Sequence, residues 1–512
     1  MARDDPHLTP VERQLRRRRR RGLIVAGLVV VGLLVLSQVA RFTENSARHY
    51  TDSVAHFKYG SIGSEIPPSG GMPYWIWRAL PRLFAAELGG KGWAKLGFLY
   101  DDDRPEAERD LPIGVSKRRY QGIDLVWLNC AACHTGSYRE APDADRVIVP
   151  AMPSNNLDFH GFVEFIFTAA ADERFSADRI MAEIDALGAD LDWVERLMYR
   201  FVVIPETRDG LLLRRHRFGP VLARQPPWGP GRVDTFNPYK AIIFNYDMAR
   251  LPARELLGVS DFPAVFLQGP REGMRLHWDG NNPSLQERNL SAAIGAGVNP
   301  TTVDHDAIER VALWLKTLES PPHPERGGID QEMAAWGQEI YMRDCAACHG
   351  HMSDSGYRFE GERLGKVEPI ANVGTDPKRL DSYTKELMTS QYTLFAADPK
   401  YHFQHFRKTD GYANAPLDGL WLRGPYLHNG SVPSLWALLE PPHRRPRTFT
   451  RDSDVVDLAN GGFVYESCDP ARHRNGFCFD TSLPGNANTG HVYGTQLNWE
   501  EKRAVLEYLK TF

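Results

Sequence analysis

The sequence predicts a mainly α-helical chain of 512 residues: one N-terminal transmembrane helix, then two tandem domains of one kind, decorated by long loops. Three observations predict it. An uncharged, mostly apolar run fills Gly22 to Ala40. The pentapeptide Cys-Ala-Ala-Cys-His occurs twice, in NCAACHTG from Asn129 and in DCAACHG from Asp344. Two stretches with the helical spacing of apolar residues also end alike, VDHDAIERVALWLKTL at 303–318 and LNWEEKRAVLEYLKTF at 497–512.

From the N-terminus, residues 1–21 form a basic cytoplasmic tail that ends in Arg16 to Arg21. Residues 22–40 are a transmembrane signal anchor, because nineteen residues at about 1.5 Å each approach the ~30 Å hydrocarbon core. Arginines before the run and a single Arg41 after it leave the N-terminus inside and everything downstream outside. The expected location is therefore the inner membrane, single-pass, with the body in the periplasm. A cleaved signal peptide is the alternative, with small residues at 37–40, but the run is longer than the usual ~7 to 15-residue signal core.

The rest divides into 41–325 and 326–512, as expected for a length that suggests two or three domains. Hydrophobic residues at 42% and charged residues at 25% describe a globular body, and a net charge of −4 argues against nucleic acid as a partner. The 36 prolines and 44 glycines fit a loop-heavy design, with added helices such as AADERFSADRIMAEIDALG at 170–188.

The repeated pentapeptide carries chemistry in its spacing. Two thiols separated by two residues each form a thioether to a haem vinyl group, and the adjacent histidine then falls under the iron. Cys130, Cys133 and His134 are thus expected to hold haem 1, and Cys345, Cys348 and His349 haem 2, making both domains cytochrome c-like around two covalently bound haems. Zinc is disfavoured, since paired zinc knuckles lie ~15 to 20 residues apart and these motifs are 215 apart. The remaining cysteines, Cys468 and Cys478, are expected to form a disulfide in an oxidising compartment.

A sixth iron ligand separates carriers from catalysts. The closing helices lie 194 residues apart, whereas the stretches WDGNNPSL at 278–285 and HNGSVPSL at 428–435 lie 150 apart. The chain is therefore a duplication with an insertion in its second half. Just before the last helix, PGNANTGHVYGTQL offers His491; 194 residues earlier stands Gly297, in a loop without His, Met, Cys or Lys. Haem 2 is expected to be six-coordinate through His349 and His491, with His428 as runner-up, and haem 1 five-coordinate. Met388 and His402 are weaker rivals at haem 2, and His160 and Met152 at haem 1. Arg232 and Arg379 are expected in rigid loops, within reach of haem propionates.

At an open haem 1, peroxide cleavage requires a proton shuttle and a charge-stabilising donor. Glu287 and Arg288 in QERNL are the catalytic candidates, with His277 and Trp278 upstream. Trp278 occupies the position of His428 in the other half. It serves as a pocket wall, an electron-hopping site or core packing.

The twin pentapeptides, PYLHNGSVPSL, and GHVYGTQL before a helix ending YLKTF resemble the bacterial di-haem cytochrome c peroxidase superfamily, and within it the branch of latex-cleaving rubber oxygenases. The resemblance implies a reactive N-terminal haem and a low-spin, relaying C-terminal haem. Peroxidase members place Met as the relay's sixth ligand; His491 here departs from that and leans toward the oxygenase branch. The expected function is a periplasmic di-haem oxidoreductase acting on peroxide, dioxygen or an organic substrate, with a small redox protein or a quinol-linked donor as electron partner. The alternative is a plain electron carrier with both haems six-coordinate.

Overall fold

The computed structural model describes residues 9–67, 70–472 and 476–512; the first eight residues of the expected tail lie outside them. Helices make up 41% and strands 12%, so the chain is mixed α/β rather than mainly helical. The correction arises chiefly in the first half. There VSKRRY and IDLVWL, rich in β-branched and aromatic residues, pair as antiparallel strands Val115–Tyr120 and Ile123–Leu128. Gln121 and Gly122 join them, both at positive φ (49° and 77°), which is the two-residue turn whose twist suits a hairpin. Asn45–Ala47 and Met72–Pro73 flank this hairpin in a four-stranded antiparallel sheet.

The N-terminal helix runs Pro10–Phe42 and so takes in the arginine cluster as well as the expected 22–40 span. Thr9 and Glu12 close a capping box at its start, with Pro10 in the first turn. It is long and apolar enough to cross a membrane, a property a signal sequence shares, and none of its apolar window is buried.

Behind the sheet lies a helical layer: Tyr74–Leu83, Phe159–Ala171, Ala177–Ala186 and Ile204–Leu222, with a core around Trp77, Trp93, Phe162 and Trp228. The helix expected over 170–188 is split. Asp172 ends the first piece and Ser176 caps the next by accepting from Arg179 N.

The duplication is visible in the backbone. The closing helices are His305–Leu315 and Trp499–Leu509, offset by the same 194 residues, with Asp304 and Asn498 as N-caps. Trp499–Leu509 crosses Gln331–Asp344 so tightly that a Cβ on Gly337 would stand 1.9 Å from Ala504 O. The first closing helix instead packs on Ser53–Tyr59, where Phe57 meets Trp314 at 5.1 Å. The marker stretches also repeat their geometry: bridges Leu276–Asn282 and Tyr426–Val432, positive φ at His277 and Leu427, and serine caps Ser284 and Ser434.

Candidate functional site

Each pentapeptide forms one short helical turn. Asn129 caps Cys130–Cys133, its side-chain oxygen accepting from Ala131 N at 3.0 Å and its amide donating to Gly60 O at 3.0 Å. In the second motif Ala346–His349 is the helical turn, and in both the histidine N–H donates to the first cysteine's carbonyl at 3.1 Å. His134 Nδ1 lies 2.9 Å from Pro263 O, and His349 Nδ1 lies 2.8 Å from Ala415 O. A carbonyl only accepts, so each Nδ1 carries the proton and each Nε2 keeps its lone pair, the tautomer a metal-ligating histidine requires. Burial, aided by Arg288, pushes His134 down to about 4; burial, with Arg423 adding to it, also lowers His349. Both are therefore neutral at ordinary pH.

The four motif cysteines form no disulfide. Burial pushes Cys130 up to about 11 and Cys133 and Cys345 to about 12, the opposite of what a reactive thiolate needs. Among the described residues no three His, Cys, Asp or Glu gather as a metal-holding cluster. In covalent haem attachment each thiol adds across a vinyl group and ends as a thioether, which is neither a free thiolate nor a metal ligand.

His491 faces His349, their ring centres 6.2 Å apart and their planes tilted by 46°. A metal bound by two imidazole nitrogens at about 2 Å each, with ring centres roughly 1 Å beyond, sets those centres about 6 Å apart. The pair therefore fits an iron between them. His491 Nδ1 is buried without a hydrogen-bond partner, and burial followed by His349 and Arg445 holds the ring down at about 3. Its loop is built around Arg445, which donates to Asn488 O (2.6 Å), Gly490 O (2.9 Å) and His491 O (3.0 Å), while His491 N donates to Val373 O at 2.7 Å.

At the corresponding place in the first half, Gly297 has φ +107°, and a Cβ there would stand 2.9 Å from Trp127 Nε1 and 3.3 Å from Gly70 Cα. The apolar cluster that reaches Cys130 contains Phe236, Leu290, Ile294, Val298 and Tyr383, with Met388 packed on it.

The other candidate residues have protein partners of their own. His428 does not face His349: its Nε2 shares a 2.9 Å hydrogen bond with the Tyr412 hydroxyl, and the rings stack at 4.0 Å. Glu287 has both carboxylate oxygens engaged, by Asn282 Nδ2, the backbone N–H groups of Gln404 and His405, and His405 Nδ1. It pins the 404–405 segment through these contacts. Trp278 donates from Nε1 to Asp261 O at 2.8 Å and accepts from Ala413 N at 2.8 Å, which makes it a tie at the seam between the halves. His160 accepts from Trp228 N and lies 3.2 Å from Glu164, Met152 is core, and His402 bonds Asp398 O and Gln404. His277 Nδ1 bonds Asn281 Oδ1 at 2.7 Å. Arg232 and Arg379 are buried and held by protein partners: Asn486 and Trp228 O for the first, Thr235, Ser260 and Asp279 for the second.

Arg288 lies near the first motif. Burial, with Arg271 second, lowers it to about 10; its charge acts on Cys130 and His134. One Nη donates to Gln268 Oε1 at 2.6 Å while Nε is buried unpartnered, a donor aimed at no protein group. Arg271 in turn pairs with Asp418, which also pairs with Arg423 at 3.2 Å, and Arg423 acts on His349. This buried chain of charges between the two motifs, and the role of Arg445, went unread in the sequence. So did the carbonyls of Pro263 and Ala415, although each stands a similar short way, 15 and 13 residues, before its repeated marker.

A family model described as RoxA-like, cytochrome c-like matches residues 411–450, the stretch that includes Ala415, Asp418, Arg423 and Arg445. A cytochrome c-like domain implies covalently bound c-type haem with its iron. Two proteins of Sinorhizobium fredii (strain NBRC 101917 / NGR234) are similar. The uncharacterized protein y4iJ is 26% identical over 505 residues, covering 81% of each chain. The uncharacterized protein y4iM is 30% identical over 303 residues, covering 49% of this chain and 64% of its own length.

Proposed function

We propose that the chain is an exported, membrane-anchored di-haem oxidoreductase of the rubber-oxygenase-like kind, reacting at the first motif and relaying electrons at the second. The observation that carries this reading is an asymmetry. His349 has His491 opposite it at iron-bridging distance, while the equivalent of His491 is Gly297, packed against Trp127 and Gly70.

In this reading Cys130 and Cys133 anchor one haem and Cys345 and Cys348 the other. Bound haem supplies a redox-active iron that, where a coordination position is open, accepts peroxide or dioxygen. The protein's part is to hold and insulate it. Pro263 O fixes the orientation and tautomer of His134. The cluster of Phe236, Leu290, Ile294 and Val298 keeps water from the first motif, and the unpartnered Nε–H of Arg288 supplies a donor for a propionate or for developing negative charge. At the second motif His349 and His491 would together hold the haem iron, which suits a relay. Electrons arrive from a small redox protein or a quinol-linked donor; the substrate is peroxide, dioxygen or an organic molecule. The Arg16–Arg21 cluster, the apolar helix and the Cys468–Cys478 disulfide support an inner-membrane anchor with the body in the periplasm.

Optical and EPR spectra of the purified full chain test this reading. The expected result is one low-spin and one high-spin haem, the latter binding cyanide or, when reduced, carbon monoxide. Two low-spin haems that bind neither would overturn it in favour of a plain electron carrier.

A further inference from the structure

The helix Trp193–Met198, continued by the wide turn Tyr199–Val203 into Ile204–Leu222, carries a stripe left largely exposed among the described residues. Trp193 is 74% exposed, Leu197 49%, Phe201 66% and Val202 54%. Trp193, Leu197 and Phe201 are spaced four apart and so share one face. The wide turn inserts extra backbone at 199–203 and brings Val202 out beside them. The opposite face is committed to the body through Glu195, Tyr199 and Ile204. The neighbouring cations are occupied: Arg196 by Asp185, Arg200 by Asp178. Scattered apolar side chains need no explanation, but four contiguous ones on a convex helix do.

Where the stripe lies supplies the explanation. Asp192, the residue before Trp193, caps this helix and is paired with Arg41 from the last turn of the N-terminal helix, one of the two contacts measuring 3.3 Å. The stem of Arg41 lies over Gly122, at the tip of the central hairpin. Only Thr43 and Glu44 separate the helix end from the strand Asn45–Ala47, which is paired with Arg118–Tyr120. Thr43 is itself tied back to Val39 O and Ala40 O at 3.0 Å. No slack linker intervenes, so the point where the chain leaves the bilayer is fixed beside the start of the stripe.

We propose that Trp193, Leu197, Phe201 and Val202 form a second membrane contact, seated in the interfacial layer of the bilayer that the N-terminal helix crosses. The proposal rests on the reading of that helix as an uncleaved anchor. Tryptophan and phenylalanine favour the headgroup region. Two contacts, one spanning and one lying flat, fix the height and orientation of the haem-binding body over the lipid surface. A single pass alone would leave the body free to rotate about its stalk.

The test uses the full chain reconstituted in phospholipid vesicles, with a nitroxide at Trp193→Cys, at Phe201→Cys, and at Trp499→Cys, an exposed position (60%) off the stripe. Collision rates with oxygen, which concentrates in lipid, and with a water-soluble nickel chelate are compared. The expected result is an oxygen-to-nickel ratio severalfold higher at 193 and 201 than at 499. Equal, water-like ratios at all three would overturn the proposal. Shielding of 193 and 201 from both reagents, with spin–spin broadening, would also overturn it, by showing a second copy on the stripe. Intact mass decides the anchor separately: a mature chain beginning near residue 41 would refute that reading, and the same ratios with added vesicles would then judge the stripe.

Discussion

Replacing His491 by glycine removes the imidazole that stands 6.2 Å, ring centre to ring centre, from His349. Glycine suits the site, because His491 is held at φ 45°, a conformation that favours it. The loop keeps its frame, since Arg445 grips main-chain oxygens and Val373 O accepts from the residue 491 N–H. The loss is then confined to one ligand and the ring's packing against Tyr493 at 5.2 Å, a stability cost of about 2–4 kcal/mol. Spectroscopically the change is whole-number: one low-spin haem per chain falls to none, and added free imidazole restores it by filling the space. EPR of the oxidised full chain reads both states. A low-spin signal that persists undiminished in the glycine variant, or that vanishes instead in His428→Phe, would refute the assignment. Arg445→Met is the companion perturbation. With His491 present but its loop released, an intermediate low-spin fraction is expected.

Gly297→His is not expected to yield a second low-spin haem. A Cβ there meets Trp127 Nε1 at 2.9 Å on a backbone at φ +107°, so reduced expression and a lowered thermal midpoint are the expected result; a clean bis-histidine spectrum would show the loop to be more yielding than its packing. His323 is buried at 4% exposure beside Trp421, and burial, with Lys510 second, pushes it down to about 4. Its folded value lies below the unfolded ~6.5, so the unfolded chain binds more protons between those values and stability falls as pH drops from about 6.5 to 4, by no more than about 3 kcal/mol. Denaturant unfolding at several pH values is expected to show a shallower slope over this window in His323→Phe than in the native chain; equal slopes would refute it. The disulfide Cys468–Cys478 closes a loop with a sequence separation of 10. Changing both cysteines to serine is expected to cost about 3 kcal/mol while leaving both haem spectra intact. A spectral change would implicate that loop in the second site.

The sequence made some features legible because they are local. The closing helices announced themselves by apolar spacing, and their structural bounds differ by the same 194 residues as their sequences. The paired markers were legible too, down to the backbone positions at His277 and Leu427 that share a positive φ. What failed was anything set by distant partners. Glu287 and Arg288 are adjacent, yet successive helical residues point about 100° apart. One serves a segment 117 residues away and the other the first motif. Ser53–Tyr59, the helix on which the first closing helix packs, is separated from Cys130 by the inserted sheet, so no motif spacing points to it. His428 looked like a ligand because its turn presents it; only Tyr412, from another strand, shows where its ring is committed.

The boundary at 325 and 326 marks a repeat in sequence, and the side chains across it argue that the halves do not fold separately. Asp418, 2% exposed, pairs with Arg271 from the first half and Arg423 from the second. Arg451 pairs with Asp261 at 3.2 Å, Arg379 with Asp279 at 3.2 Å, and Asp454 with Arg139 and Arg146 at 2.7 and 2.9 Å. Apart from Asp418–Arg423, each pair takes one member from each half, and all but Arg139, Arg146 and Arg423 are buried. Removing one partner of a buried pair leaves an uncompensated charge and costs about 3–5 kcal/mol. Several such pairs together exceed what either half of an ordinary domain can lose and remain folded. Calorimetry of the full chain is therefore expected to show one cooperative transition for the body. Asp418→Asn is expected to lower that single transition rather than split it, because Arg271 and Arg423 then face each other from opposite halves without the carboxylate between them. Two resolved transitions, with the variant shifting only the one that reports the second haem, would refute the interlocked reading and restore two independent domains.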